Sequence, residues 1–187
     1  MPDKVIYCYS IHQPIFDTLK DDENVQFVRG FDVTDIFPDA DDDEDDMKQN
    51  NGNKDKPNRL LILDDLHDEI SPLILSKIFT KLSHHYSTSV IFIVQFLFMK
   101  IKCMRECSVN TMYNFIFRSP KDLVSLRVLN SQMGFKPGFL TTCFLDATKS
   151  KYGYLMLDAN PQSDPDLRVR TGIFPGDEIK IYKPTNE

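Results

Sequence analysis

The stretch RLLILDDLHDE, Arg59 to Glu69, sets an apolar run directly against two adjacent carboxylates, Asp64 and Asp65, with Asp68 and Glu69 close behind. A carboxylate at the tip of a buried strand, next to a bound phosphate, can hold Mg²⁺ directly or through water. A second carboxylate beside it can polarise an attacking water. The same residues suit a plainer role, because acids are favoured at the cap and in the first turn of a helix. A metal-dependent nuclease using Asp64, Asp65, Asp68 and Glu69 is a third use. It lacks further strand-borne acids and a convincing catalytic lysine or histidine.

The next apolar run, SVIFIVQF (Ser89–Phe96), carries Gln95 near its tip. A buried amide has to find a hydrogen bond. A glutamine there can sense a phosphate or orient a water, or it can be satisfied by a neighbouring loop.

These groups need elements to hold them. KVIYCYS (Lys4–Ser10), VQFVRG (Val25–Gly30), RLLILDD and SVIFIVQF read as strands, as do TMYNFIFRS (Thr111–Ser119) and YGYLMLDAN (Tyr152–Asn160). PIFDTLKDD predicts a short helix with Ile15, Phe16 and Leu19 on one face, and FDVTDIF a helical turn. Ser71–Tyr86 predicts a helix capped by Ser71, with Pro72 in its first turn and Leu75, Ile78, Phe79 and Leu82 as its stripe. Pro120–Met133 and Pro137–Lys149 predict two more, and RVRTGIF and EIKIYKP predict short terminal strands around a PGDE turn. Continuous apolar strands alternating with helices predict an α/β three-layer sandwich on a mostly parallel sheet. In such sheets ligands gather at the carboxyl ends of the strands, where Asp64 and Asp65 fall.

Charge is unevenly placed. The formal net charge is −6, and seven acids lie within Asp39–Asp46 alone. Residues 38–58 hold one large apolar residue, Met47, and cannot bury enough surface to offset their ordering entropy. They predict a solvated, disordered insertion loop rather than a metal site or a docking site for a basic partner. The second half of the chain is mildly basic, which permits contact with a phosphate backbone without requiring it. Cys8, Cys103, Cys107 and Cys143 show neither disulfide nor zinc spacing, which predicts reduced thiols in an intracellular protein. No signal peptide is visible, and the apolar run Ser89–Phe98 is too short to span a bilayer.

Four hydrophobic residues followed by Asp-Asp form the Walker B pattern of P-loop ATPases. With it stand F-T-x-x-S-H-H from Phe79, S-V-I-F-I-x-Q from Ser89, and L-R-x-R-T-x-I-F-P-G from Leu167. Together these resemble a packaging-type ATPase of the FtsK/HerA superfamily, in the form found in Maverick/Polinton elements and adintovirus-like viruses. The matching blocks run from Val5 to about Lys183 without the acidic insertion. The resemblance implies a partial RecA-like P-loop NTPase domain over 1–187. It also implies ATP and Mg²⁺ as cofactors, double-stranded DNA as partner, a homo-oligomeric ring, and capsid or portal contacts. No membrane is involved; the setting is nucleus or cytoplasm, with virion association open.

Residue by residue, Asp64 resembles the Mg²⁺-associated acid, Asp65 the water-activating acid and Gln95 the sensor amide. His84 and His85 match a family dyad that could face a neighbouring subunit or DNA, though a helix C-terminus also favours imidazole. Arg118, Arg127, Arg168 and Arg170 match candidates for an arginine finger or DNA contact, with plain surface arginine as the alternative. Phe96 stands where family members often carry Asn. None of the seven glycines is followed by lysine, so G-x-x-x-x-G-K-[ST] is missing. The chain begins at what resembles the family's second strand. That predicts either a fragment of a longer ATPase or a degenerate copy without turnover, acting as an interaction or DNA-binding protein. The loss of a central strand is expected to expose apolar edges on its neighbours.

If 39–58 are peripheral, deleting them is expected to leave the melting temperature nearly unchanged in a thermal scan. A large drop would show that the acids are structural.

Overall fold

The computed structural model describes residues 2–38, 57–96, 103–119 and 123–184. The acidic run falls outside the described residues. Contacts divide the chain into two compact units, Met1–Asn110 and Thr111–Glu187, each with its own four-stranded sheet.

The first unit runs β1 (Lys4–Tyr9), α1 (Pro14–Leu19), β2 (Val25–Arg29), α2 (Val33–Ile36) and β3 (Arg59–Asp64). A helix, α3, follows in three pieces: an α-helical start Pro72–Lys77, a π-helical turn Ile78–Leu82 and a last turn Ser83–His85. β4 (Thr88–Ile93) and α4 (Met104–Asn110) complete it. The sheet is parallel throughout, in the order β2-β1-β3-β4. The α/β architecture with a parallel sheet is therefore as the apolar strands predict.

Register explains the core. Ile6, Leu61 and Val90 form one row across β1, β3 and β4, and Cys8, Leu63 and Phe92 form the next. These rows pack against Leu75, Ile78 and Leu82 of α3 and Met104 and Cys107 of α4. Successive side chains alternate faces, so Tyr7 and Tyr9 lie on the other side. There they meet Phe27 and the buried Phe16 of α1 at centroid separations of 4.8 to 5.5 Å. Ile15 and Leu19, expected beside Phe16, are half exposed: a helix of six residues turns only one large side chain fully onto the sheet. Burial with no charged partner pushes the Cys8 thiol up to about 12, which keeps it protonated and inert.

Ser71 accepts from the Ile74 N–H and Pro72 opens α3, as expected. The π turn was not expected. The turn admits one extra residue, and Ile78 and Leu82 both remain buried.

The second unit departs from the predicted mostly parallel sheet: its own sheet is antiparallel. β5 (Tyr113–Phe117) pairs antiparallel with β6 (Tyr154–Asp158), followed by β7 (Val169–Thr171) and β8 (Lys180–Ile181), again antiparallel. The reason lies in the connection. One helix between two strands returns the chain to its starting end and makes the strands parallel. Here two helices, α5 (Leu123–Gln132) and α6 (Phe139–Ala147), intervene, so β6 sets out from the opposite end. Buried Asn130 ties the turn between them, donating to the Phe135 and Lys136 carbonyls and accepting from the Leu140 N–H.

Phe16→Ala is expected to cost about 3–5 kcal/mol in a urea titration, since it uncovers three aromatic neighbours. A loss under about 1 kcal/mol would mean that α1 does not seal that face.

Candidate functional site

The strand order places a topological switch between β1 and β3. From β1 the chain turns to β2 on one side and later to β3 on the other. In open α/β sheets ligands bind at such a switch point, beyond the carboxyl ends of the strands. The polar residues collect there.

Asp64 closes β3, level with Tyr9 of β1 and Ile93 of β4. Its Oδ2 accepts from the Tyr7 hydroxyl at 3.0 Å and from Gln13 Nε2, in the loop after β1, at 3.4 Å. Burial, then the hydrogen bond to Asp64 and its charge, push the Tyr7 hydroxyl up to about 12. Tyr7 thus stays a donor at any physiological pH.

Asp65 leaves the sheet in a left-handed conformation, φ 55°. Its N–H still reaches the Ile93 carbonyl at 3.2 Å, which ties it to β4. Its Oδ2 accepts from Gln95 Nε2 at 3.0 Å. Its Oδ1 lies 3.5 Å from Nδ1 of His67, whose Nε2 lies 3.3 Å from Asp68 Oδ2. Buried Leu66 and Ile70 anchor this loop, and the Ile70 N–H closes it on the Leu66 carbonyl at 3.0 Å. Glu69 reaches back to the end of β2: its Oε2 lies 3.6 Å from where a Cβ would stand on Gly30, a residue at φ 78°.

The structure thus brings Asp64, Asp65 and Gln95 together at one end of the sheet. Tyr7, Gln13 and His67 join them, unforeseen from the sequence. Two signals were present: tyrosines alternating along β1 toward one face, and a histidine two residues beyond the second acid. A magnesium ion needs only one or two carboxylates here if phosphates supply further ligands. Asp64 fits that demand, since Tyr7 and Gln13 occupy Oδ2 and leave the capacity of Oδ1. Among the described residues no three of His, Cys, Asp and Glu converge on a metal-sized space.

His84 and His85 are not part of this cluster. They end α3 just before Thr88, which is level with Arg59. Five residues of parallel strand separate that end from Asp64, about 16 Å. The arginines belong to the second unit. Arg118 and Arg127 are exposed, and Arg168 is half-buried. Arg170 is spent internally: it bridges to buried Asp158 at 3.1 Å and donates to the Leu167 carbonyl.

Because Asp65 sits at positive φ, glycine there is expected to be more stable than alanine by about 1 kcal/mol, read by chemical denaturation. Equal stabilities would mean that the left-handed turn is not maintained.

Comparison with protein-family models, with curated proteins and with solved structures returns no match. Among the described residues no helix is long and apolar enough to cross a membrane.

Proposed function

We propose that the chain is part of a DNA-packaging motor ATPase of the FtsK/HerA type, carrying the acid-tipped strand and the sensor strand of a RecA-like domain. In this reading Asp64 helps hold Mg²⁺, Asp65 polarises the attacking water, and Gln95 reports on the γ-phosphate. ATP hydrolysis then drives double-stranded DNA through a ring of subunits. The phosphate-binding loop has to come from residues outside 1–187.

The observation that carries the reading is the Gln95–Asp65 hydrogen bond. Two adjacent parallel strands each send one polar residue past their carboxyl ends, and the two meet at 3.0 Å. An amide that senses the phosphate and a carboxylate that directs the water have to be coupled in this way if turnover is to wait for the correct ligand. A helix-capping role for the acids finds no support, because Ser71 caps α3 and neither Asp64 nor Asp65 does. The edge of β4 adds to the case. Among the described residues it pairs only with β3. An unpaired strand with apolar residues is what removal of a central strand would leave.

A second reading is a non-catalytic protein of the same descent, binding DNA or an intact motor subunit. It is favoured by the missing cationic half of the site: no glycine is followed by lysine. Two carboxylates with no phosphate-binding amides or lysine bind Mg·ATP weakly.

Residues 1–187 alone are expected to turn ATP over at background rate. Joined to a strand–P-loop–helix segment, they are expected to show DNA-stimulated hydrolysis. Asp65→Asn in the joined protein abolishes turnover and spares nucleotide binding. Robust hydrolysis by 1–187 alone, lost in Asp65→Asn, would overturn the view that the site is incomplete. A folded joined protein that binds no nucleotide would favour the non-catalytic reading.

A further inference from the structure

We propose that His67 is the positioning residue of the Asp65 carboxylate, held as the Nδ1–H tautomer against Oδ1. This deepens the reading above and rests on it for the role of Asp65, but its chemistry can be tested without ATP.

Asp65 Oδ1 and His67 Nδ1 are both closed off from solvent, and neither has a hydrogen-bond partner among the described residues. They face one another at 3.5 Å. A buried donor or acceptor left without a partner is costly, and two such atoms side by side are each other's remedy. The separation is longer than an ordinary N–H···O bond, and a small rotation of the ring closes it. A carboxylate offers only acceptor sites, so the proton has to sit on Nδ1. The hydrogen bond made by one ring nitrogen decides which nitrogen is protonated.

The ring cannot wander. Its side chain is 19% exposed, and the residues on either side of the loop, Leu66 and Ile70, are buried. Asp68 Oδ2, 3.3 Å from Nε2, is also only an acceptor, so a ring protonated at Nδ1 alone needs Asp68 to give way to water there; at 87% exposed it can do so, whereas Asp65 Oδ1 is closed off from solvent. With Gln95 on Oδ2, the second hold on Oδ1 fixes the plane of the carboxylate. A water-directing acid held by one oxygen alone can swing about that contact, and small misplacements at a reacting group are expensive in rate.

Long-range ¹H–¹⁵N correlation spectra of the labelled chain read the tautomer directly, with exposed His84 as internal reference. At a pH where the ring is neutral, His67 is expected as the Nδ1–H form and His84 as the Nε2–H form common to free imidazole. Asp65→Gly removes the carboxylate while suiting the positive φ, and is expected to return His67 to Nε2–H. His67→Asn keeps a donor near the Nδ1 position and is expected to preserve the native side-chain amide shift of Gln95. His67→Phe is expected to lose it with the rest of the spectrum unchanged. An Nε2–H tautomer in the native chain, or one indifferent to Asp65→Gly, overturns the proposal. An expected tautomer in a protein that never hydrolyses ATP leaves the pair standing and removes only the ATPase reading.

Discussion

The parallel register of β3 between β1 and β4 is the constraint on which the rest of the first unit depends. It aligns Leu61 and Leu63 with Ile6, Cys8, Val90 and Phe92 on the face covered by α3 and α4. It also fixes what happens where β3 stops. Asp64 is level with Tyr9, so the side chain two residues earlier on β1, Tyr7, shares its face and can reach back to it. Asp65 has left the ladder but keeps its N–H on Ile93. A slip of one residue would bury Asp64 among the leucines and turn Leu63 to the other face, so packing and site are set by one choice.

The two acids are adjacent in sequence and differently held in space. Asp64 is bound to the β1 side through Tyr7 and Gln13. Asp65 is bound to the β4 side through Gln95 and to its own loop through His67. Like charges on neighbouring residues repel, and the left-handed turn at Asp65 gives each carboxylate its own set of donors. The backbone conformation is unfavourable for most residues, yet aspartate tolerates it better than most. Pairing a residue type with a conformation it can bear is how a strand can end in two acids without losing its register.

Much of this was legible in the sequence because it depends on local pattern. Apolar runs of four to six residues bounded by polar ones located β1, β3 and β4, and Ser71-Pro72 located the start of α3. That Asp64, Asp65 and Gln95 share one end follows from parallel pairing alone. What stayed hidden depends on tertiary geometry. The direction of β6 relative to β5 is a different case: two helices are predicted between them, which already reverses β6, and the mostly parallel sheet was read from strand–helix alternation alone. Tyr7 read only as part of a strand, and the alignment of β1 with β3 reveals its hydroxyl as the donor to Asp64. His67 lies inside the very stretch that drew attention to the acids, but its distance from Asp65 depends on how Leu66 and Ile70 anchor the loop.

The opposite end of the sheet shows why chemistry gathers at one end only. There Arg59 begins β3, with its guanidinium between the rings of Phe37 and Tyr86 at 5.5 and 5.2 Å. Nε donates to the Thr88 hydroxyl and Nη1 to the Ile36 carbonyl. Burial pulls this arginine below its ordinary value, and among the described residues no carboxylate bridges to it. The ring faces supply the attraction in its place. This cation joins α2, β3 and β4 through Nε and Nη1, and its Nη2 is buried without a hydrogen-bond partner among the described residues. At the acidic end the balance is reversed: donors hold the carboxylates by one or two contacts each and leave acceptor capacity unused. The polarity of a parallel sheet, with all strands ending on the same side, is what lets one end gather a cation among rings and the other gather carboxylates among donors.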